Sequence, residues 1–154
     1  MDALTRSLPT WSAAEYGRRL EAQRSGTLVQ FAAWDAGAPI GRGHVLFPGH
    51  EQWSISAWRE RCAEVRDVFV AADRRRAGIA KALMATLEQT TQDRDMSRIG
   101  LMVTLDEDHG PARALYRSLG YEKAHGPFVS SVTLQTDAGP RPVLAVAVYL
   151  LKKL

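Results

Sequence analysis

The chain has 154 residues, 45% hydrophobic and 24% charged, which is the make-up of one ordinary globular domain. Its 20 lysines and arginines against 17 aspartates and glutamates leave a net charge of +3, well short of a nucleic-acid signature and as well suited to an anionic ligand or acidic partner. No apolar run approaches the roughly 20 residues of a membrane span, the opening "MDALTRSLPTW" lacks the apolar core of a signal peptide, and the lone Cys62 excludes an internal disulfide and points to a reducing, cytoplasmic setting.

Residues 10–24, "TWSAAEYGRRLEAQR", have the pattern of an amphipathic helix begun by Thr10 or Ser12 and stopped near Gly26. "TLVQFAAW" (27–34) and "PIGRGHVLF" (39–47) read as two strands of a hairpin around the turn "DAGA". "PGHEQWSISAWRERC" (48–62) reads as irregular, with Trp53 and Trp58 inside it. "AEVRDVFV" (63–70) is a strand rich in β-branched and aromatic residues. Strict alternation along it puts Glu64, Arg66, Val68 and Val70 on one face and Asp67 on the other.

From Gly78 the period changes to 3.6, and Ile79, Leu83 and Leu87 form one stripe of a helix running to about Gln92, with Met84 beside them. "SRIGLMVTL" (97–105) is a strand with Ile99, Leu101 and Val103 on one side. Pro111 suits a first helical turn and Gly120 a helix end, with Ala112, Leu115, Tyr116 and Leu119 as the inner stripe between them. Two closing strands follow, one around residues 121–123 and the other "PVLAVAVYLL" (142–151). The fold class is mixed α/β with a mostly antiparallel sheet.

The informative stretch is "RDVFVAADRRRAGIAKALMATL", in which Arg74, Arg75, Arg76 and then Gly78 stand where a strand hands over to a helix. The first amides of a helix lack intrahelical acceptors and carry the positive end of its dipole. A glycine there lets a ligand approach the backbone, and arginines add full charges. A phosphate or pyrophosphate is the natural guest, and a solvated basic loop is the plain alternative.

Two blocks of this sequence resemble the GCN5-related N-acetyltransferase (GNAT) family. The first is Arg75-Arg76-Ala77-Gly78-Ile79-Ala80, after the strand Val68-Phe69-Val70 at the family's offset. The second is "HGPARALYRSLGY", with Ala112, Leu115, Tyr116, Leu119, Gly120 and Tyr121 in the family's places and His109 where the family usually has asparagine. The resemblance implies the acyl-CoA N-acyltransferase fold: a single domain over 1–154, with a variable segment over 1–26 and a core over 27–154. "MDALTRSL" leaves little room for the family's first strand. The resemblance also implies acetyl-CoA as cosubstrate, a primary-amine acceptor on a small molecule or a protein, and direct attack in a ternary complex. A homodimer is a family tendency. No metal, nucleic acid or membrane partner is implied.

By the same resemblance, Val68, Phe69 and Val70 bond the pantetheine arm, the Val70 N–H donates to the oxyanion, and the amides of Arg76, Ala77, Gly78, Ile79 and Ala80 cradle the pyrophosphate with Arg75 beside them. His109 stands at a further cofactor contact. Amine acetylation requires loss of the ammonium proton, a stabilised oxyanion and a proton for the leaving thiolate. Tyr116 is the expected acid, against a packing residue on the helix's apolar face. Glu64 is the expected base, directly or through water, against a carboxylate paired with Arg66 or Arg61. Trp53 and Trp58 either line the acceptor pocket or pack a lid onto the sheet. His44, His50, His109 and His125 have no metal-binding spacing, and the run Asp106-Glu107-Asp108 reads as a solvated cap region before a helix, against an attractor for a cationic acceptor. The alternative function is a CoA-binding regulatory or assembly module without efficient chemistry.

Overall fold

Ala36 and Gly37 both hold left-handed backbone, with φ of 47° and 79°. This is the two-residue turn whose twist matches a hairpin. It joins β1 (Leu28–Asp35) to β2 (Ala38–Leu46), as the sequence pattern requires. The protein is described here by a computed structural model covering residues 13–136 and 139–154. The expected helix start at Thr10 or Ser12, and the room for a first family strand, lie outside the described residues. The helix itself, α1 (Ala13–Arg24), is present.

Residues 48–62 differ from expectation. They contain a short helix, α2 (Ile55–Glu60), capped by the Ser54 side chain, which accepts from the Ala57 amide at 3.1 Å. A helix of six residues is too short to display a 3.6 period, so its sequence reads as irregular. Next come β3 (Ala63–Val70), a single 3-10 turn (Ala72–Arg74), α3 (Ile79–Gln92), β4 (Arg98–Thr104) and α4 (Gly110–Ser118). A long hairpin closes the chain, β5 (Glu122–Thr136) with β6 (Gly139–Lys153).

The six strands form one sheet in the order β1-β2-β3-β4-β6-β5. Every neighbouring pair is antiparallel except β3 and β4. The main core lies where α3 and α4 cover one face: Met84, Leu87 and Tyr116 pack with Val45, Val65, Leu101 and Val148. A Cβ at Gly41 would come within 3.2 Å of the Ile79 side chain, and one at Gly43 within 3.3 Å of Leu87, so α3 rests almost on the backbone of β2. On the opposite face α2 covers a smaller cluster of Ala57, Cys62 and Tyr149, and α1 packs over β1.

The strict alternation expected for β3 is broken. Glu64 pairs with Leu46 and Arg66 with His44, but Phe69 pairs with Arg42, so two residues of β3 oppose the single Gly43. This is a β-bulge, and Asp67 within it has a φ of 51°. The extra residue turns the strand over. Val65 and Val68 both face the α3 core, while Arg66 reaches Gln52 and Asp67 reaches Arg19 on the α1 and α2 face. Val68 and Val70 are therefore not on the face of Glu64 and Arg66, and Asp67 is.

Candidate active site

The parallel pairing of β3 with β4 is brief. It runs over Ala63 to Ile99, Glu64 to Gly100 and Val65 to Leu101, and then stops. Beyond Val65 the bulge diverts β3, and the rest of β4 bonds only to β6. The two strands split apart towards their C-terminal ends. Because they are parallel, the loops that follow them emerge at that same end, as do the first turns of α3 and α4. A crevice outside the carboxyl ends of parallel strands is the usual place for a ligand in such sheets.

The edge of β3 facing the split keeps bonding capacity. The Ala71 amide donates to Ile40 of β2 at 2.9 Å, so by alternation the peptide groups of Val70 point the other way, into the split. The Val70 carbonyl there accepts from Arg75 Nε at 3.2 Å.

The loop itself is an array of donors. Among the described residues no carbonyl accepts from the amides of residues 75–81, and the first helical bond of α3 runs from Ala82 to Gly78 at 3.0 Å. Arg76 and Gly78 are both left-handed, with φ of 66° and 79°. Such turns gather successive amides into a concave nest for an anion. A Cβ added at Gly78 would meet nothing within 4 Å, so the approach to these amides is open. The three arginines have different tasks: Arg74 pairs with Asp35 at 2.9 Å and ties the loop to the first hairpin, Arg75 bonds Val70, and Arg76 shapes the nest.

On the other side of the split, His109 is the N-cap position of α4. Its Nδ1 lies 2.6 Å from Asp106 Oδ1 and 2.8 Å from Thr104 Oγ, and its amide donates to Asp106 at 3.0 Å. Asp106 thus fixes His109 at the start of α4, and hydrogen bonds from Thr104 and His109 hold its carboxyl well below the usual carboxylate range. Tyr116 lies on the inner face of α4, with its ring 6.0 Å from that of Tyr121. Burial pushes its hydroxyl up to about 12, so the phenol stays protonated and can donate at neutral pH.

Glu64 sits on the other face of the sheet and is 0% exposed. Its Oε2 accepts from the Ser54 amide at 2.9 Å and its Oε1 from Arg66 at 3.4 Å. The structure therefore places Val70, the loop over residues 75–80 and the start of α4 with His109 at the same end of the parallel pair, Val68 and Tyr116 in or against the main core, Phe69 beside Arg42, and Glu64 on the other face beneath α2. Trp53 packs against Cys62 and Tyr149 and donates its indole N–H to Cys62 O at 3.0 Å, whereas Trp58 is 65% exposed. Among the described residues no group of three or more His, Cys, Asp or Glu side chains could hold a metal ion, and no helix is long and apolar enough to cross a membrane.

Sequence reasoning missed a polar layer under α1. Tyr16, Arg19, Arg42 and His44 are all buried there. Arg19 Nη1 lies 3.0 Å from His44 Nδ1, and Arg19 Nη2 lies 3.1 Å from Asp67. Burial, reinforced by the Arg19 charge, holds His44 well below the ordinary histidine value, so it is neutral and accepts from the guanidinium. The signal was the pattern "GRGHV", in which small residues alternate with Arg42 and His44. It marks a strand with one face pressed on a helix and the other polar.

A family model described as the acetyltransferase (GNAT) family matches residues 1–121. No curated protein matches the sequence. Among solved structures, the chain is similar to the ribosomal-protein-alanine N-acetyltransferase of Brucella melitensis, with 20% identity, a TM-score of 0.66, and 99% of this chain and 88% of that one covered. It is also similar to the PaiA N-acetyltransferase of Thermoplasma acidophilum in complex with coenzyme A, with 13% identity, a TM-score of 0.65, and coverage of 93% and 72%. An N-acetyltransferase from Staphylococcus aureus Mu50 aligns at 13% identity with a TM-score of 0.67, covering 93% and 78%. At these identities the likeness shows the fold.

Proposed function

Because the chain belongs to the acetyltransferase (GNAT) family, we propose that it transfers an acetyl group from acetyl-CoA to a primary amine, on a small molecule or a protein, by direct attack in a ternary complex. The observation that carries this reading is the early end of the β3–β4 pairing, after Val65, beside a loop of amides with no carbonyl partner among the described residues. The Thermoplasma protein holds coenzyme A, and the same ligand class is proposed here.

Acetyl-CoA supplies the acyl group already activated as a thioester. The amides of Arg76, Ala77, Gly78, Ile79 and Ala80 hold its pyrophosphate, with Arg75 alongside. The edge of Val68, Phe69 and Val70 bonds the pantetheine arm, and the Val70 amide is the oxyanion donor, as its direction into the split supports. Tyr116 provides the proton for the leaving thiolate, in keeping with a hydroxyl that remains protonated at neutral pH. His109 supports the cofactor side of α4 through its bonds to Thr104 and Asp106. Glu64, unexposed and on the other face of the sheet, takes the ammonium proton through water rather than directly.

One observation favours the second reading, a CoA-binding regulatory or assembly module with little chemistry: both Glu64 oxygens already accept, from Ser54 and Arg66. An assay of CoA release from acetyl-CoA over a panel of alkylamines, amino acids and peptides separates the two. Amine-dependent release supports the enzyme. Acetyl-CoA binding with no amine-dependent release leaves the module.

The cytoplasmic setting expected from a single cysteine belongs to this reading. A homodimer would use the outer edge of β5, unpaired among the described residues, and the exposed Val129, Leu144 and Val146.

A further inference from the structure

Outside the split lies a second concavity, a groove of about 460 Å³ between α4 and the closing hairpin. Its floor is apolar. Val148 and Leu150 alternate on the helix-covered face of β6, and Leu105, just beyond β4, extends them. Its walls are cationic. Arg113 and Arg117 stand four residues apart, one turn of α4, on the same side of that helix. Lys123 approaches from β5, where it pairs with Leu150.

These cations differ in freedom. Arg113 is fixed, since its Nη1 donates to the carbonyls of Thr104 and Asp106, both at 2.7 Å. Arg117 and Lys123 form no ion pair among the described residues, and both are exposed. Among the described residues Glu122 is the one carboxylate on the rim, so three cations face it. Volumes of about 300–1,000 Å³ with an apolar lining and a few convergent polar groups are typical of small-molecule sites.

We propose that this groove binds a small amphipathic oxyanion, an apolar body on Leu105, Val148 and Leu150 with its carboxylate or phosphate between Arg113, Arg117 and Lys123. The apolar floor rejects bare inorganic anions, and the guanidiniums reject neutral apolar molecules. The site is separate from the loop at residues 75–80, which follows β3 and precedes α3. It does not depend on the chemistry proposed for the split.

Benzoate is the probe, followed by NMR titration of the amide resonances of the full chain. Acetate and benzyl alcohol serve as controls lacking the body and the charge respectively. The site predicts saturable shifts at residues 105, 113–123 and 146–150, with either control at least about tenfold weaker. The surface substitutions Arg117→Ala and Lys123→Ala together should weaken benzoate about tenfold and leave acetyl-CoA affinity unchanged. Saturating CoA should not displace benzoate. A phenyl phosphate titration distinguishes carboxylate from phosphate within the same class. Non-saturating shifts, equal effects of all three probes, shifts confined to residues 75–80, displacement by CoA, or undiminished binding in the double variant would each overturn the proposal.

Discussion

Arg19 of α1 and Asp67 of β3 meet at 3.1 Å, and the contact holds the bulge at which β3 turns over. Asp67 is left-handed there, a conformation that aspartate tolerates and β-branched residues resist. The backbone shape and the ion pair are thus separable. Asp67→Asn and Asp67→Gly keep access to the left-handed region and lose the charge. They should cost about 1 kcal/mol in urea unfolding, since the carboxylate is half-exposed. Asp67→Val should cost about 2 kcal/mol or more and also weaken acetyl-CoA binding, because relaxing the bulge moves the open edge of β3. Equal effects of all three substitutions would mean that only the charge matters.

Tyr116 is part of the core and also the assigned proton donor. Tyr116→Phe removes the hydroxyl and keeps the ring. Turnover should fall by roughly 10²-fold or more, with acetyl-CoA affinity within about twofold of wild type. A variant that turns over as fast as wild type would make Tyr116 a packing residue only.

Cys62 is 0% exposed, and burial pushes its thiol up to about 11. The thiolate is the reactive form, so the native protein should react with a disulfide reagent only as fast as it unfolds. Reaction within seconds in the native state would place Cys62 at an accessible surface and contradict the packing of α2.

Asp106 has a lowered folded-state value, so its contribution is present above the unfolded aspartate range near pH ~4 and is lost as the pH falls through the folded value. The wild type should therefore lose more stability than Asp106→Asn as the pH is taken down from 5 to about 2, with the two curves converging at the acid end. Parallel curves over that window would show that the Thr104 and His109 bonds carry no net stabilisation.

The strand, loop and helix from Ala63 to Gln92 were legible in the sequence because three local signals agree there: β-branched residues, a glycine and then a 3.6 period. Pro111 and Gly120 marked α4 equally well. The bulge was not legible. "EVRDVFV" obeys strict alternation on paper, and only the pairing of β3 with β2 reveals two residues opposite Gly43. Nor was the burial of Arg42 and His44, since it depends on Arg19 arriving from a helix 25 residues before His44. Glu64 was legible as a candidate, but the cover given by Ser54 belongs to α2, which was too short to read. Local chemistry was readable; what depends on a distant element packing over a strand was not.

The account rests on the loop at residues 75–80 as a cradle for acetyl-CoA, and calorimetric titration tests it most directly. Wild-type protein is titrated with acetyl-CoA and with tripolyphosphate, and Gly78→Glu with acetyl-CoA after thermal unfolding has shown that the variant is folded. The account predicts saturable one-site binding of acetyl-CoA, none for tripolyphosphate, and loss of binding in the variant. No binding of acetyl-CoA, equal binding of both ligands, or an unaffected variant would reduce the loop to a basic surface turn and contradict the reading.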